Sequence, residues 1–434
     1  MKKKLSIWLM MCVLGGATAR AQDSFTLDQC IDYAMQHKAD MERALLDERI
    51  GQHEINASLS EWLPQVTADF TLANNLKLPS TAFGDQVIQI GRNYNSNLML
   101  RAEQTLYSNE VLLASRASSH RKQQLQQDIT YQKINTVVDV SKAYYDILLT
   151  REQLSILNSN IVRQQKQYND SYNQYENGVV DKTDYQRASI TLANSKSAKK
   201  RTEEGMKAKT AYLKQLMGYP VDKNLNLAFA TKEVLREEVA LDTTQLLVVD
   251  NRVEFRQLQT DLELLKLSTS YQKMGLIPKI SAYANYNPQY FDNSFGDLYS
   301  NAFPTSSIGI TASIPIFQGN KRNQEIKMAS LRESRLEVTM ADATRAINTE
   351  YVTSLARYKS DYTDMVTLKS NADLAQDVYN TIKLQYDEGI KAYVDVIVAE
   401  TELQASQLNY LNAVYQLLSS KLDFQKAIGA VDIN

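Results

Sequence analysis

Four segments of the chain alternate apolar and polar residues at a period of two, and most of the remainder repeats apolar positions at helical spacing. Val66, Ala68, Phe70 and Leu72 alternate with Thr67, Asp69 and Thr71; Leu98, Leu100 and Ala102 alternate with Asn97, Met99, Arg101 and Glu103. Later in the chain Ile280, Ala282, Ala284 and Tyr286 alternate with Lys279, Ser281 and Asn285, and Ile308, Ile310, Ala312, Ile314 and Ile316 alternate with Ser307, Gly309, Thr311 and Ser313. A period of two puts each set on its own face of a strand, so the pattern predicts strands over about 64–78, 93–107, 278–290 and 305–317. Helical spacing predicts first helices over about 26–61 and 242–275, long helices over about 109–176 and 320–387, and return helices over about 181–217 and 391–428. At 1.5 Å per residue the long helices reach roughly 100 Å and the others roughly 50 Å. Two short helices laid end to end against a long one predict a rod. Within the first long helix Ile134, Val137, Val138, Ala143, Tyr144, Ile147 and Leu148 form an apolar stripe that Tyr168, Tyr172 and Tyr175 continue, read as helix–helix packing.

The order of elements occurs twice. Tyr175-Glu-Asn-Gly-Val-Val-Asp and Tyr386-Asp-Glu-Gly-Ile-Lys-Ala place Gly178 and Gly389 at an offset of 211 residues, each followed six residues on by an aspartate, Asp184 and Asp395. Leu63-Pro64-Gln65-Val66 matches Ile277-Pro278-Lys279-Ile280, and Leu106-Tyr107 matches Ile316-Phe317. An internal duplication follows, with a first repeat over 22–217, a connector over 218–241 opened by Gly218-Tyr219-Pro220, and a second repeat over 242–434. Each glycine ends a long helical run, where a left-handed turn suits it.

Strands of about ten residues with one apolar and one polar face have the length and pattern of tilted membrane strands. Little chain remains to cover the apolar faces. The loops Pro79–Arg92 and Asp292–Thr305 read as long and polar, and Tyr94, Tyr107, Tyr290, Phe291 and Phe317 sit near strand ends, where aromatic girdles belong. Four strands cannot close a barrel, and open edges in lipid leave backbone groups unpaired, so the protomer must pool strands with copies of itself. Eight, twelve or sixteen strands would mean a dimer, trimer or tetramer.

Composition narrows the classes. Lys2, Lys3 and Lys4 precede an apolar run from Leu5 to about Leu14 and then Ala19-Arg20-Ala21, the layout of a secretory signal cleaved after residue 21. Its removal takes four positive charges and lowers the formal charge from −2 to −6, which argues against nucleic acid as a partner. Cys12 leaves with it, so Cys30 has no intrachain disulfide partner. His37, His53 and His120 show no metal-ligand spacing, and neither a phosphate-binding glycine loop nor a Gly-x-Ser-x-Gly elbow occurs. The chain is expected to be no enzyme, to hold no cofactor, and to draw energy from a partner.

Taken together, the signal segment, the duplication, the proline-led strands and the two glycine turns resemble the TolC-like outer-membrane efflux protein family over about residues 25–430. The resemblance implies an α+β membrane protein: a homotrimer whose twelve-strand β-barrel, four strands per protomer, sits in the outer membrane lipid and continues into a long periplasmic α-helical barrel. It implies an exit duct of an efflux or type I secretion system, fed by an inner-membrane transporter through a periplasmic adaptor. By motif position Gly178, Val179 and Val180 and Gly389, Ile390 and Lys391 resemble the tips that meet the adaptor. Tyr386, Lys391 and Asp184 resemble the latch of the inner helix pair, and Asp395 an acidic position lining the constriction. Three copies of Asp395 would make a negative ring that selects cations. An aspartate there also suits the positive N-terminal end of a return helix, without any gating role. The chain departs from the family pattern at Lys391, where arginine is usual, at Val398 in place of a second acidic residue, and at His37-Lys38-Ala39-Asp40, where many members carry Asn-Pro. The rival reading is a periplasmic adaptor or structural coiled-coil protein, for which duplicated hairpins and strands are the wrong parts.

Overall fold

A computed structural model describes residues 24–228 and 244–433. The expected signal segment and residues 229–241 of the expected connector lie outside the described residues. In chain order the helices are α1 (Leu27–His37), α2 (Ala39–Ser60), α3 (Asn109–Glu176), α4 (Lys182–Met217), α5 (Val253–Lys273), α6 (Lys321–Asp387) and α7 (Tyr393–Ala427). The strands are β1 (Gln65–Asn74), β2 (Ser80–Phe83), β3 (Gln86–Gln89), β4 (Tyr94–Tyr107), β5 (Lys279–Asp292) and β6 (Ala302–Ser313). Among the described residues no helix is long and apolar enough to cross a membrane.

The chain divides into two compact units. One comprises Met1–Lys38, Asp139–Val239 and Asn371–Tyr415; the other comprises Ala39–Val138, Ala240–Ser370 and Gln416–Asn434. The helices α3, α6 and α7 each contribute residues to both.

The second unit holds an antiparallel sheet in the order β1-β4-β5-β6. Its register aligns Val66, Ala102, Ala284 and Ile308 in one row and Ala68, Leu100 and Tyr286 in the next, with Phe70 beside Leu98 and Ala282 beside Ile310. One face of the sheet is therefore mainly apolar, interrupted by Ser96, Gln104 and Ser306. It is also uncovered: Val66 is 73% exposed, Ile308 86% and Ile310 71%. The opposite face carries the row Thr67, Arg101, Asn285 and Ser307, with Arg101 paired to Glu103 at 2.8 Å and Asn285 donating to Ser307 Oγ at 3.4 Å. On this face Tyr283 lies over Gly309, whose missing side chain makes room for the phenol; a Cβ there would come within 2.7 Å of its oxygen. The sheet ends at β1 and β6, whose outer edges have no partner among the described residues.

Several elements differ from expectation. The predicted first helix of 26–61 is two helices, α1 and α2, because Lys38 takes an extended conformation at φ −67° and ψ 130°. In the second repeat the helix α5 starts only at Val253, after a short 3-10 turn (Val249–Asn251) and an extended Arg252 at φ −75° and ψ 124°. The strand expected to reach residue 317 stops at Ser313, two residues before Pro315, which has no N–H to give a ladder. The loop expected to be polar carries the hairpin β2–β3, and Phe83 and Val87 stand exposed on it.

The breaks at Lys38 and Arg252 are equivalent joints. In the first, the side chain of Lys38 is buried and faces Asp139 at 3.9 Å, and α4 ends against it at Gly218. In the second, buried Arg252 pairs with Glu350 at 3.0 Å and Glu254 at 3.1 Å and donates to the Ala427 carbonyl, and α7 ends beside it at Gly429. Asp139 and Glu350 are 211 residues apart, as are Gly218 and Gly429. Each joint lies within its own unit. A buried cation needs a partner, so the carboxylate and the helix break belong together.

Candidate functional site

The two turns between long and return helices lie in the first unit and share one hydrogen-bond pattern. Gly178 N–H donates to the Tyr175 carbonyl at 2.9 Å and Val179 N–H to the Gln174 carbonyl at 2.8 Å. Gly389 N–H donates to Tyr386 at 2.9 Å and Ile390 N–H to Gln385 at 2.8 Å. Both glycines are left-handed, with φ 71° and 76°. This is the glycine-capped C-terminus that satisfies the last helical carbonyls. Nothing lies within 4 Å of where a Cβ would stand on either glycine, so the backbone conformation alone calls for them. Val179 and Ile390 are each 72% exposed, Val180 is half-buried, and Lys391 is exposed. Each tip thus presents an apolar side chain to its surroundings.

The tips differ beyond the glycine. Asp181 caps α4 by accepting from Thr183 N–H at 2.8 Å, which holds its carboxyl below the usual range. Asp184, expected to suit the positive end of the return helix, lies within the first turn of α4, three residues after this cap. In the second repeat Ala392 stands at the equivalent position and has no carboxylate to offer.

The second hairpin is packed into its unit. Tyr379 on α6 and Tyr393, Val396, Ala399 and Leu403 on α7 form a buried cluster with Ala188 of α4, and Tyr168 of α3 and Tyr386 of α6 pack against it. Burial first, then the negative charge of Asp184, raises the Tyr386 hydroxyl above its ordinary pKa. The Tyr386 hydroxyl thus feels the charge of Asp184, a residue singled out separately by motif position. Lys391 and Asp395 also come together, at 3.9 Å along the first turn of α7, with both side chains partly exposed. Such a pair contributes little, on the order of 0–1 kcal/mol. It still places a positive charge beside the aspartate expected to line the constriction. Val398, three residues on, is exposed.

A polar group unremarked in the sequence lies deeper in the same unit. Glu400 of α7 faces Arg163 of α3 at 3.6 Å, and the guanidinium stacks over the Tyr379 ring of α6, 5.5 Å from its centroid. Asn160, one turn earlier on α3, accepts from Arg163. A charged residue on the inward face of α7 was the available signal. Among the described residues no cluster of His, Cys, Asp or Glu could hold a metal ion.

Comparisons with known proteins agree with this arrangement. The family described as Outer membrane efflux protein matches residues 30–219 and 230–430, one match per repeat. The chain is 23% identical to outer membrane protein TolC of Escherichia coli over 100% of its own length and 87% of the relative's. It is 18% identical to the alkaline protease secretion protein AprF of Pseudomonas aeruginosa over 99% of its length and 89% of the relative's. Among solved structures it resembles the outer membrane protein VceC of Vibrio cholerae with a TM-score of 0.74 at 14% identity, covering 93% of this chain and 96% of that one. It also resembles the open state of the Neisseria gonorrhoeae MtrE outer membrane channel, with a TM-score of 0.71 at 16% identity, covering 93% and 88%. The periplasmic-adaptor reading is set aside, since both repeats match a family of outer-membrane channels. With two family matches spanning most of its length, the chain belongs to the outer membrane efflux protein family, a family of channels rather than enzymes, and it is an outer-membrane exit duct.

Proposed function

We propose that three copies join their sheets edge to edge, β6 of one against β1 of the next, into a twelve-strand barrel through which substrates leave passively. The observation that carries this reading is the uncovered apolar face of a four-stranded sheet with two open edges. In water that face would associate without a defined partner, and in lipid its edges would leave backbone groups unpaired. Pooling strands with sister copies answers both. The tips Gly178-Val179-Val180 and Gly389-Ile390-Lys391 are the surfaces offered to a periplasmic adaptor, and their exposed Val179 and Ile390 supply apolar contacts for it. An inner-membrane transporter supplies the energy. Tyr386, Asp184 and Lys391 hold the second hairpin in place, and three copies of Asp395 ring the constriction, each charge softened by its own Lys391.

The test is made on protein purified from outer membranes. A heat-modifiable trimer on a gel and discrete conductance steps in a planar bilayer are expected, with divalent-cation block weakened in Asp395→Asn. A monomer that stays in the soluble fraction and conducts nothing would overturn the reading. Unchanged block in the variant would remove Asp395 from the constriction.

A further inference from the structure

We propose that Glu400, facing Arg163 where it stacks over Tyr379, sets the balance between a docked and a released second hairpin, and that its proton favours docking. The three side chains sit on α7, α3 and α6, so the group ties both arms of the α6–α7 hairpin to the long helix of the first repeat. Glu400 is 8% exposed, and its Oε1 has no hydrogen-bond partner among the described residues. At 3.6 Å from Arg163 Nε the contact is an ion pair too long for a hydrogen bond. Around it, Asn160 Nδ2 and Gln164 Oε1 on α3 are likewise buried without partners. A buried carboxylate with one distant cation is incompletely compensated for its lost hydration.

The first repeat has no such group. The positions 211 residues away from Glu400 and Arg163 are Ser189 and Leu374, while Tyr379 keeps its counterpart in Tyr168. The duplication therefore supplied the aromatic ring, while the carboxylate is particular to α7 of the second hairpin and its cation to α3 of the first.

The sign of the effect follows from linkage. Burial first, against the opposing pull of Arg163 and Gln164, leaves the Glu400 carboxyl above the ordinary glutamate range. The ionisable groups that act on it or feel its charge are Arg163 on α3, Tyr379 on α6 and Tyr393 on α7, with Asp184 on α4 and Asp387 on α6 acting on these tyrosines. A group that holds its proton more tightly when docked than when released makes acid favour docking. Ionised Glu400 pushes the hairpin outward, and Arg163 restrains it.

This inference rests on the exit-duct reading and adds to it that displacement of the second hairpin, which carries Asp395, widens the constriction. The experiment uses the assembled full-length protein in the Asp395→Asn background, which removes the carboxylate proposed to ring the constriction. Conductance is measured from pH 5 to 8, together with spin-label distances between copies of exposed Glu388→Cys; Cys30 is fully buried and does not compete for label. The parent should conduct less, with shorter distances, as pH falls. Glu400→Gln, which mimics the protonated form, should stay in the low-conductance state across the range. Arg163→Gln should conduct at least about fivefold more than the parent at pH 7.5, a typical coupling between sites, and lose that excess in acid. Conductance and distances that keep the parent's pH profile in both variants would overturn the role of Glu400 while leaving the duct intact. A parent that neither conducts nor shows distances between copies would overturn the duct and this inference together.

Discussion

Gly178 and Gly218 end helices with the same left-handed turn, yet they do so for different reasons. Gly178 needs only its φ of 71°, whereas at Gly218 a Cβ would stand 2.1 Å from the His37 carbonyl oxygen. Substituting alanine at Gly178 should therefore destabilise by about 1–2 kcal/mol, the strain of a left-handed residue. Gly218→Ala adds a collision with backbone that cannot rotate away. A larger fall in the temperature at which the assembled protein dissociates on a gel is expected for Gly218→Ala; equal falls would show that the close approach carries no weight. The need for glycine at the tips was legible in the sequence, because each interrupts a helical run without other breaks. The close approach at Gly218 was not, since it depends on α1 ending beside α4. Nor was the break at Lys38 legible. His37-Lys38-Ala39-Asp40 holds no proline or glycine, and the burial of Lys38 toward Asp139 and the end of α4 packed against His37 appear only in the fold.

At the scale of single elements the period-two pattern carried most of the information. The four alternating segments fall in β1, β4, β5 and β6, and their register places the apolar sets on one face without further assumptions. The pattern could not find β2 and β3, which are four residues each and alternate too briefly to register. Nor could it locate the end of β6, because Ile314 and Ile316 continue the alternation past the point where Pro315 removes a donor. The two faces make opposite predictions for one substitution. Phe70→Arg puts a charge among Leu98 and its neighbours on the uncovered face and should destabilise the inserted form by about 2–4 kcal/mol near the bilayer midplane. Thr71→Arg, one residue on, turns to the polar face and should be tolerated. Outer-membrane levels of the two variants by quantitative blot check this; equal loss in both would mean that the faces are not divided between lipid and water.

Across the whole molecule the duplication of 211 residues is the regularity that the sequence displays most openly, and the departures from it are where the chain is specialised. The tip glycines, the joint carboxylates Asp139 and Glu350 and the capping glycines Gly218 and Gly429 all keep the offset. Asp181 against Ala392 and Ser189 against Glu400 do not keep their chemistry, and both lie in the return helices or at their starts. The sequence shows that Glu400 has no counterpart, but its burial against Arg163 and Tyr379 emerges only from packing.

The unpaired outer edges of β1 and β6 have a genetic consequence. Every copy must offer two sound margins, one to each neighbour, so a faulty polypeptide is not merely lost but withdraws healthy siblings from service. If Ile310→Pro is produced alongside an equal amount of normal chain, random mixing in threes leaves roughly one ring in eight wholly normal. Export capacity should then fall much further than by half, as measured by drug tolerance of cells carrying both alleles. Tolerance at half the normal level would mean that damaged chains are sorted out before they meet their siblings.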